Sequence, residues 1–292
     1  MFFSCLSNLN CSNIYYHSYY DLHFKNCVVK VYIKDKILET SNSKIYHCSG
    51  SFKTLFTQTP LNQDNINLLL DLPEYYNKEV KRKKQICPKD CDYNFILKTN
   101  VGLDEYLNQK NVIKNNSYVA KIIFYIKRKK FLIMEKKQMD LIDFLKKNQD
   151  EFKKNAVHFI NHIIKAVYYM IYNGVVHLDI KPDNFLIDEE KNIFIGDFGS
   201  SLRLDKNINQ YKIKTYTRYS SPEVQNGART FSYKNIIKQD IFSMSFMILN
   251  IVKNMKIKLP DNINSFVHKG VRVNINKRAG LKDLEDIFNN IK

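Results

Sequence analysis

The sequence predicts an α+β protein of two lobes, the first rich in β-structure and the second rich in α-helix. Three observations carry that prediction. Beyond residue 136, "QMDLIDFLKKN" and "AVHFINHIIKAVYYMIYNG" repeat apolar residues at i, i+3, i+4 spacing, the signature of helices with one buried face. Before that point strand signals alternate with polar stretches. The chain has 292 residues with 44% hydrophobic content, enough to bury one large core or two small ones.

Taken in order, residues 1 to about 44 are rich in Asn, Ser and Tyr, with one β-like run, "CVVKVYI"; they are expected to form an N-terminal extension. Residues 45–135 are expected to form the β-rich lobe, interrupted by a basic stretch, "YYNKEVKRKKQICPKDC". Residues 136–292 form the expected α-rich lobe. Its second helix stops at Gly174, a suitable C-terminal residue. "FLID" and "IFIG" are two short strands joined by the turn "DEEKN". "IFSMSFMILNIV" suits a buried helix. No apolar run reaches membrane-spanning length, and "MFFSCLSNLNCSNIYYHSYY" lacks the basic start and apolar core of a signal peptide.

The formal net charge is +17, from 46 Lys+Arg against 29 Asp+Glu. Such a charge favours acidic partners. However, Asn, Lys, Ile, Tyr and Phe abound and Trp is absent, which is the imprint of AT-rich codons and accounts for much of the charge. No aromatic-basic groove motif accompanies it, which argues against a nucleic-acid partner. All six cysteines lie in the first third, from Cys5 to Cys91. They cannot frame the whole chain with disulfides. "CPKDC" lacks a matching Cys/His pair for zinc, so free intracellular thiols are expected.

The chemistry concentrates in "HLDIKPDNFLIDEEKNIFIGDFGSS", His177 to Ser201. Asp179 follows a short apolar strand. Lys181 and Asn184 come next, and Asp197 follows the hairpin. Phosphoryl transfer needs such a set: a carboxylate to orient the acceptor hydroxyl, an amide oxygen and a second carboxylate to hold Mg²⁺, and a lysine to offset charge on the transferred group.

This stretch resembles the catalytic loop and Asp-Phe-Gly segment of eukaryotic-type Ser/Thr protein kinases. The resemblance implies a two-lobed kinase-like fold over residues 45–292. It implies Asp179 as catalytic base, Lys181 as the lysine of the Ser/Thr branch, and Asn184 and Asp197 as Mg²⁺ ligands. "YSSPE" resembles the Ala-Pro-Glu motif, "KQDIFSMSFMIL" the helix whose Asp240 braces the catalytic loop, and "NKRAGLKDL" the motif whose Arg278 pairs with Glu223. "KKFLIMEK" resembles the strand entering the hinge, which puts Glu135 and Lys136 near the adenine of ATP through backbone groups. "CSGSFKTLF" resembles the glycine-rich phosphate loop, with Gly50 at the middle glycine and Phe52 at the tip. Of two candidate lysines for the phosphates, Lys30 has no glycine upstream, so Lys98 of "NFILK" is expected, with Glu105 as its partner.

The function expected from the resemblance is transfer of the γ-phosphate of ATP, with Mg²⁺, to Ser or Thr of a protein substrate. The expected compartment is intracellular, the cytoplasm or that of a host cell, because compact AT-biased kinases resemble those of large DNA viruses or parasites. The rival from another class is a pseudokinase scaffold, suggested by the sparse glycines of the Gly50 segment. A small-molecule phosphotransferase is a further rival, opposed by Lys181 and the Ser-Pro-Glu segment. Many family members carry Arg where Leu178 stands, and an apolar side chain there cannot bind a phosphate. The expectation is activity without phosphorylation of the loop between Gly199 and Pro222, with Thr217 as a candidate contact of Asp179 and Lys181.

Overall fold

The structure, a computed structural model, describes residues 15–16, 18–24, 27–39, 44–54, 85–86, 93–113, 118–128 and 130–291. Two units emerge: Met1–Val101 with Ile122–Lys136, and Gly102–Lys121 with Lys137–Lys292. The "CPKDC" cysteines Cys87 and Cys91 lie outside the described residues.

The strands of the first unit are β1 (Tyr15–Tyr16), β2 (Ser18–Phe24), β3 (Cys27–Glu39), β4 (Lys44–Thr54), β5 (Gln85–Ile86), β6 (Tyr93–Lys98), β7 (Ile122–Ile126) and β8 (Phe131–Glu135). Six form an antiparallel sheet in the order β2-β3-β4-β6-β8-β7, while β1 pairs with β5. Thus β2 and β3, from the segment expected as an extension, pair into the same sheet as β4. The period-2 pattern explains the buried face: Phe124 and Ile126 of β7 share a sheet face with Ile133 of β8 and Phe95 and Leu97 of β6, and all five are buried.

One expectation is corrected here. Gly50 and Phe52 lie within β4 and not in a turn. Gly50 pairs with Val31 on one side and Tyr93 on the other, and Phe52 pairs with Val29. Glycine weakens a strand interior, but a ladder on both sides outweighs that preference. The chain reverses between Glu39 and Lys44, and residues 40–43 lie outside the described set. The glycine-rich phosphate loop assigned to Gly50 and Phe52 is therefore not formed there.

The second unit opens with α1 (Leu103–Ile113). It continues with β9 (Met139–Asp140), α2 (Leu141–Lys147), α3 (Gln149–Lys154), α4 (Ala156–Tyr172), β10 (Val175–Val176), β11 (Phe185–Ile187), β12 (Ile193–Ile195), β13 (Leu202–Arg203), β14 (Tyr211–Lys212), α5 (Pro222–Gln225), β15 (Thr230–Phe231), α6 (Tyr233–Met255), α7 (Asp261–Gly270) and α8 (Leu281–Asn290). The two expected helices are α2 and α4. Asp140 caps α2 by accepting from Asp143 N at 2.8 Å. After α4, Gly174 takes φ 73°, the left-handed conformation that ends a helix and that glycine adopts without strain.

Helix α6 is apolar on most sides and buries Ile241, Met244, Met247 and Ile248 at the centre of the unit. Its close neighbour is α7: a Cβ on Gly270 would stand 2.6 Å from the Ser245 Cβ, so only glycine permits this approach. Among the described residues no helix is long and apolar enough to cross a membrane.

Candidate active site

The site is built from local turns. Val175 and Val176 of β10 pair with Arg203 and Leu202 of β13, which fixes the start of the loop. Leu178 then takes φ 62°, a strained value for an apolar residue. Asp240 on α6 holds that turn. Its carboxylate accepts from His177 N at 2.5 Å and Leu178 N at 2.8 Å. Burial raises the Asp240 carboxyl to about 7; the two N–H bonds oppose the rise and the nearby Asp179 charge adds to it. Burial also lowers the pKa of the fully buried His177. Its Nε2–H donates to the Gly196 carbonyl at 2.8 Å, and the ring packs 5.1 Å from Phe198.

Pro182 opens a single 3₁₀ turn, Pro182–Asn184, where a missing N–H costs nothing. That turn brings three polar groups together. Asp179 Oδ2 accepts from Lys181 Nζ at 2.8 Å and from Asn184 Nδ2 at 3.1 Å. Asn184 Nδ2 also donates to the Asp179 carbonyl at 2.7 Å, which leaves its amide oxygen as an acceptor. Asp179 Oδ1 is buried and has no hydrogen-bond partner among the described residues. An unmet buried acceptor costs about 1–3 kcal/mol, which a donor brought to it would offset.

The hairpin carries Asp197 to the same region. Phe185, Leu186 and Ile187 pair with Ile195, Phe194 and Ile193. Gly196 N then donates to Asn184 O at 2.9 Å, one residue before Asp197. Asp197 has φ 57°, and its Oδ1 accepts from Gly199 N at 3.3 Å. Hard oxygen donors of this kind, a carboxylate and an amide oxygen, suit Mg²⁺.

A second polar cluster joins Glu223, Arg278, Gln239 and Ser221. Glu223 receives Arg278 Nη1 at 2.6 Å and Nη2 at 2.9 Å, a bidentate pair with Arg278 fully buried. Burial pushes the Glu223 carboxyl up, but hydrogen bonds from Arg278 and Gln239 prevail and hold it at about 2. Gln239 Nε2 donates to Glu223 Oε1 at 2.9 Å while its Oε1 accepts from the Ser221 hydroxyl.

Of the residues named from sequence, the fold brings Asp179, Lys181 and Asn184 into direct contact and ties Asp197 to Asn184 through Gly196. Glu105 lies in the first turn of α1, in the second unit. Lys98 and Glu135 end β6 and β8 of the first unit; Lys98 is buried and pairs with Ile45 and Leu132. The Thr217 hydroxyl accepts from Tyr219 N at 3.2 Å, and no hydrogen bond joins it to Asp179 or Lys181 among the described residues. Sequence reasoning missed Asn108, Gln109 and Gln239, all buried amides. For Gln239 the signal was a polar residue within a largely apolar helix; Asn108 and Gln109 stand on a polar helix that gave none.

The model of the protein kinase domain matches residues 74–286. The chain belongs to the protein kinase family. It is similar to the human NUAK family SNF1-like kinase 1, 34% identical over 116 residues, 39% of this chain and 18% of that protein. Similarity extends to the mitosis inhibitor protein kinase SWE1 of Saccharomyces cerevisiae, 38% identical over 95 residues, 32% of this chain and 11% of that one. The carbon catabolite-derepressing protein kinase of the same yeast is 34% identical over 116 residues, 38% of this chain and 18% of the relative. The match thus spans less than a fifth of the length of these relatives. In this kinase domain the Asp-Phe-Gly turn, Asp179 and its amide partner Asn184 all stand within one unit.

Proposed function

We propose that this kinase domain transfers the γ-phosphate of ATP, with Mg²⁺, to Ser or Thr hydroxyls of protein substrates. The observation that carries the reading is the buried, unpartnered Asp179 Oδ1 beside Lys181 and Asn184. Asp179 orients the acceptor hydroxyl and draws its proton. Lys181 steadies the carboxylate and offsets charge on the transferred group. Asn184 and Asp197 would hold Mg²⁺, which when bound neutralises phosphate oxygens. Lys98 would contact the phosphates, and Glu135 and Lys136 would offer backbone groups to the adenine. Lys181 supports Ser/Thr over other acceptors, and use of ATP fits an intracellular, cytoplasmic setting. The catalytic domain in this reading is 45–292.

The direct test is incubation with labelled ATP, Mg²⁺ and generic basic and acidic proteins, followed by phosphoamino-acid analysis. Phosphoserine or phosphothreonine is expected. Nucleotide binding without transfer would favour the pseudokinase scaffold, and labelled tyrosine alone would overturn the acceptor class.

Two further outcomes are expected. Lys98→Met should weaken ATP use by about 10²-fold or more, the cost of losing a desolvated charge at the phosphates. Lys30, on β3 opposite Asp21 and Ser51, should tolerate Met with little change in steady-state turnover. The reverse pattern would discard the assignment.

The domain should also be active without loop phosphorylation. Leu178 is buried and offers no cation to a phosphate. The segment has other anchors: β13 on β10, β14 on β15, and Tyr211 OH accepting from Asp205 N at 2.6 Å. Bacterially expressed protein treated with phosphatase should retain its turnover. Activity that disappears and returns only when Thr215, Tyr216 or Thr217 is rephosphorylated would refute this.

A further inference from the structure

We propose that Asn108 and Gln109, consecutive residues of α1, are positioning residues that hold the turn carrying Asp197 from both of its flanks. The consequence for catalysis rests on the reading of Asp197 as a metal ligand; the hold itself does not.

Both side chains are buried, at 5% and 0% exposure. Buried amides are kept only where they find partners. Asn108 reaches the segment after Asp197. Its Nδ2 donates to Ser201 O at 3.2 Å and Ser201 Oγ at 3.0 Å. Ser201 in turn closes the Asp-Phe-Gly turn: its Oγ donates to Phe198 O at 2.6 Å and its N–H to the same carbonyl at 3.0 Å.

Gln109 acts on the segment before Asp197 through Ala120. Its Nε2 donates to Ala120 O at 2.7 Å. Ala120 N donates to Ile195 O and Ile195 N to Tyr118 O, each at 2.9 Å, around a parallel bridge between Val119 and Ile195. The two segments remain in van der Waals range at the next residue: a Cβ on Gly196 would stand 3.6 Å from the Ala120 Cβ.

One helix is therefore tied to both sides of Asp197, directly through Ser201 and indirectly through Ala120. Between the two ties Asp197 adopts φ 57°. A non-glycine residue keeps a left-handed backbone only when its surroundings over-determine it. The Asn108 and Gln109 amides supply that constraint, so the carboxylate of Asp197 is aimed before any metal arrives.

The test uses Asn108→Leu, Gln109→Met and, as a variant that leaves α1 untouched, Ser201→Ala. Hydrogen exchange is measured on the protein without nucleotide or metal. Peptides spanning 195–204 should exchange about ten-fold faster in Asn108→Leu, the effect of losing a buried hydrogen bond, with α6 unchanged. Ser201→Ala should show the same local effect if Asn108→Leu does not fold. In the phosphotransfer assay, the Mg²⁺ concentration for half-maximal rate should rise about five-fold or more, as expected when a ligand loses its preset position, while KM for the protein substrate stays put. Unchanged exchange at 195–204, or acceleration spread evenly through α4 and α6, would overturn the proposal. So would an unmoved Mg²⁺ dependence in a variant with accelerated local exchange. Wild-type protein with no phosphotransfer would defeat the kinase-activity reading, and the exchange measurement would still decide the hold.

Discussion

Asp179→Asn and Asp197→Ala are each expected to lower phosphotransfer by at least about 10³-fold, because positioning and charge stabilisation supply most of the rate in this chemistry. The two variants fail for different reasons. Asn at 179 keeps an oxygen for Lys181 and Asn184, so the loop survives, but it can no longer take a proton from the acceptor. Ala at 197 removes the carboxylate and its bond from Gly199 N. It also places a residue less tolerant of φ 57° at that turn, a further cost of about 1 kcal/mol. Circular dichroism should show both variants folded, with Asp197→Ala slightly less stable. Turnover by either purified variant at the wild-type rate would remove the active-kinase reading.

Arg278→Leu is expected to destabilise the second unit by about 3–5 kcal/mol, the cost of stripping one partner from a buried ion pair. The loss is larger than one salt bridge, because Arg278 also donates to Arg272 O at 3.0 Å and Val273 O at 3.3 Å and lies over the Phe242 ring. The effect should depend on pH in a definite direction. Glu223 is held at about 2, below its ordinary 4.5, so the folded state binds its proton less readily than the unfolded chain. Its stabilising contribution is present above 4.5 and is lost as pH falls toward 2. The stability gap between wild type and Arg278→Leu should therefore narrow over that interval, measured by chemical denaturation at several pH values. A gap that is constant with pH, or a midpoint unaffected by the substitution, would contradict the pairing.

The sequence by itself determined the hairpin of the candidate site, since its parts lie within one short stretch and its geometry is local. Pro182 sets the turn, "FLID" and "IFIG" pair as neighbours, and Asp179, Lys181 and Asn184 cannot stand far apart. The helices α2, α4 and α6 were legible for the same reason: an apolar stripe repeats within each. Pairing across distance was decided only in the tertiary structure. Gly50 looked like a turn because glycine is a strong local signal, yet β3 and β6 supply ladder partners on both sides of it and make it a strand interior. Asn108 and Gln109 look like solvent-facing amides on a helix. They are buried because segments far along the chain, around Ala120 and Ser201, bring the carbonyls they need. A residue's neighbours in sequence fix its backbone preferences; whether its polar atoms are met by water or by a distant peptide group depends on packing, and that is information no single stretch contains.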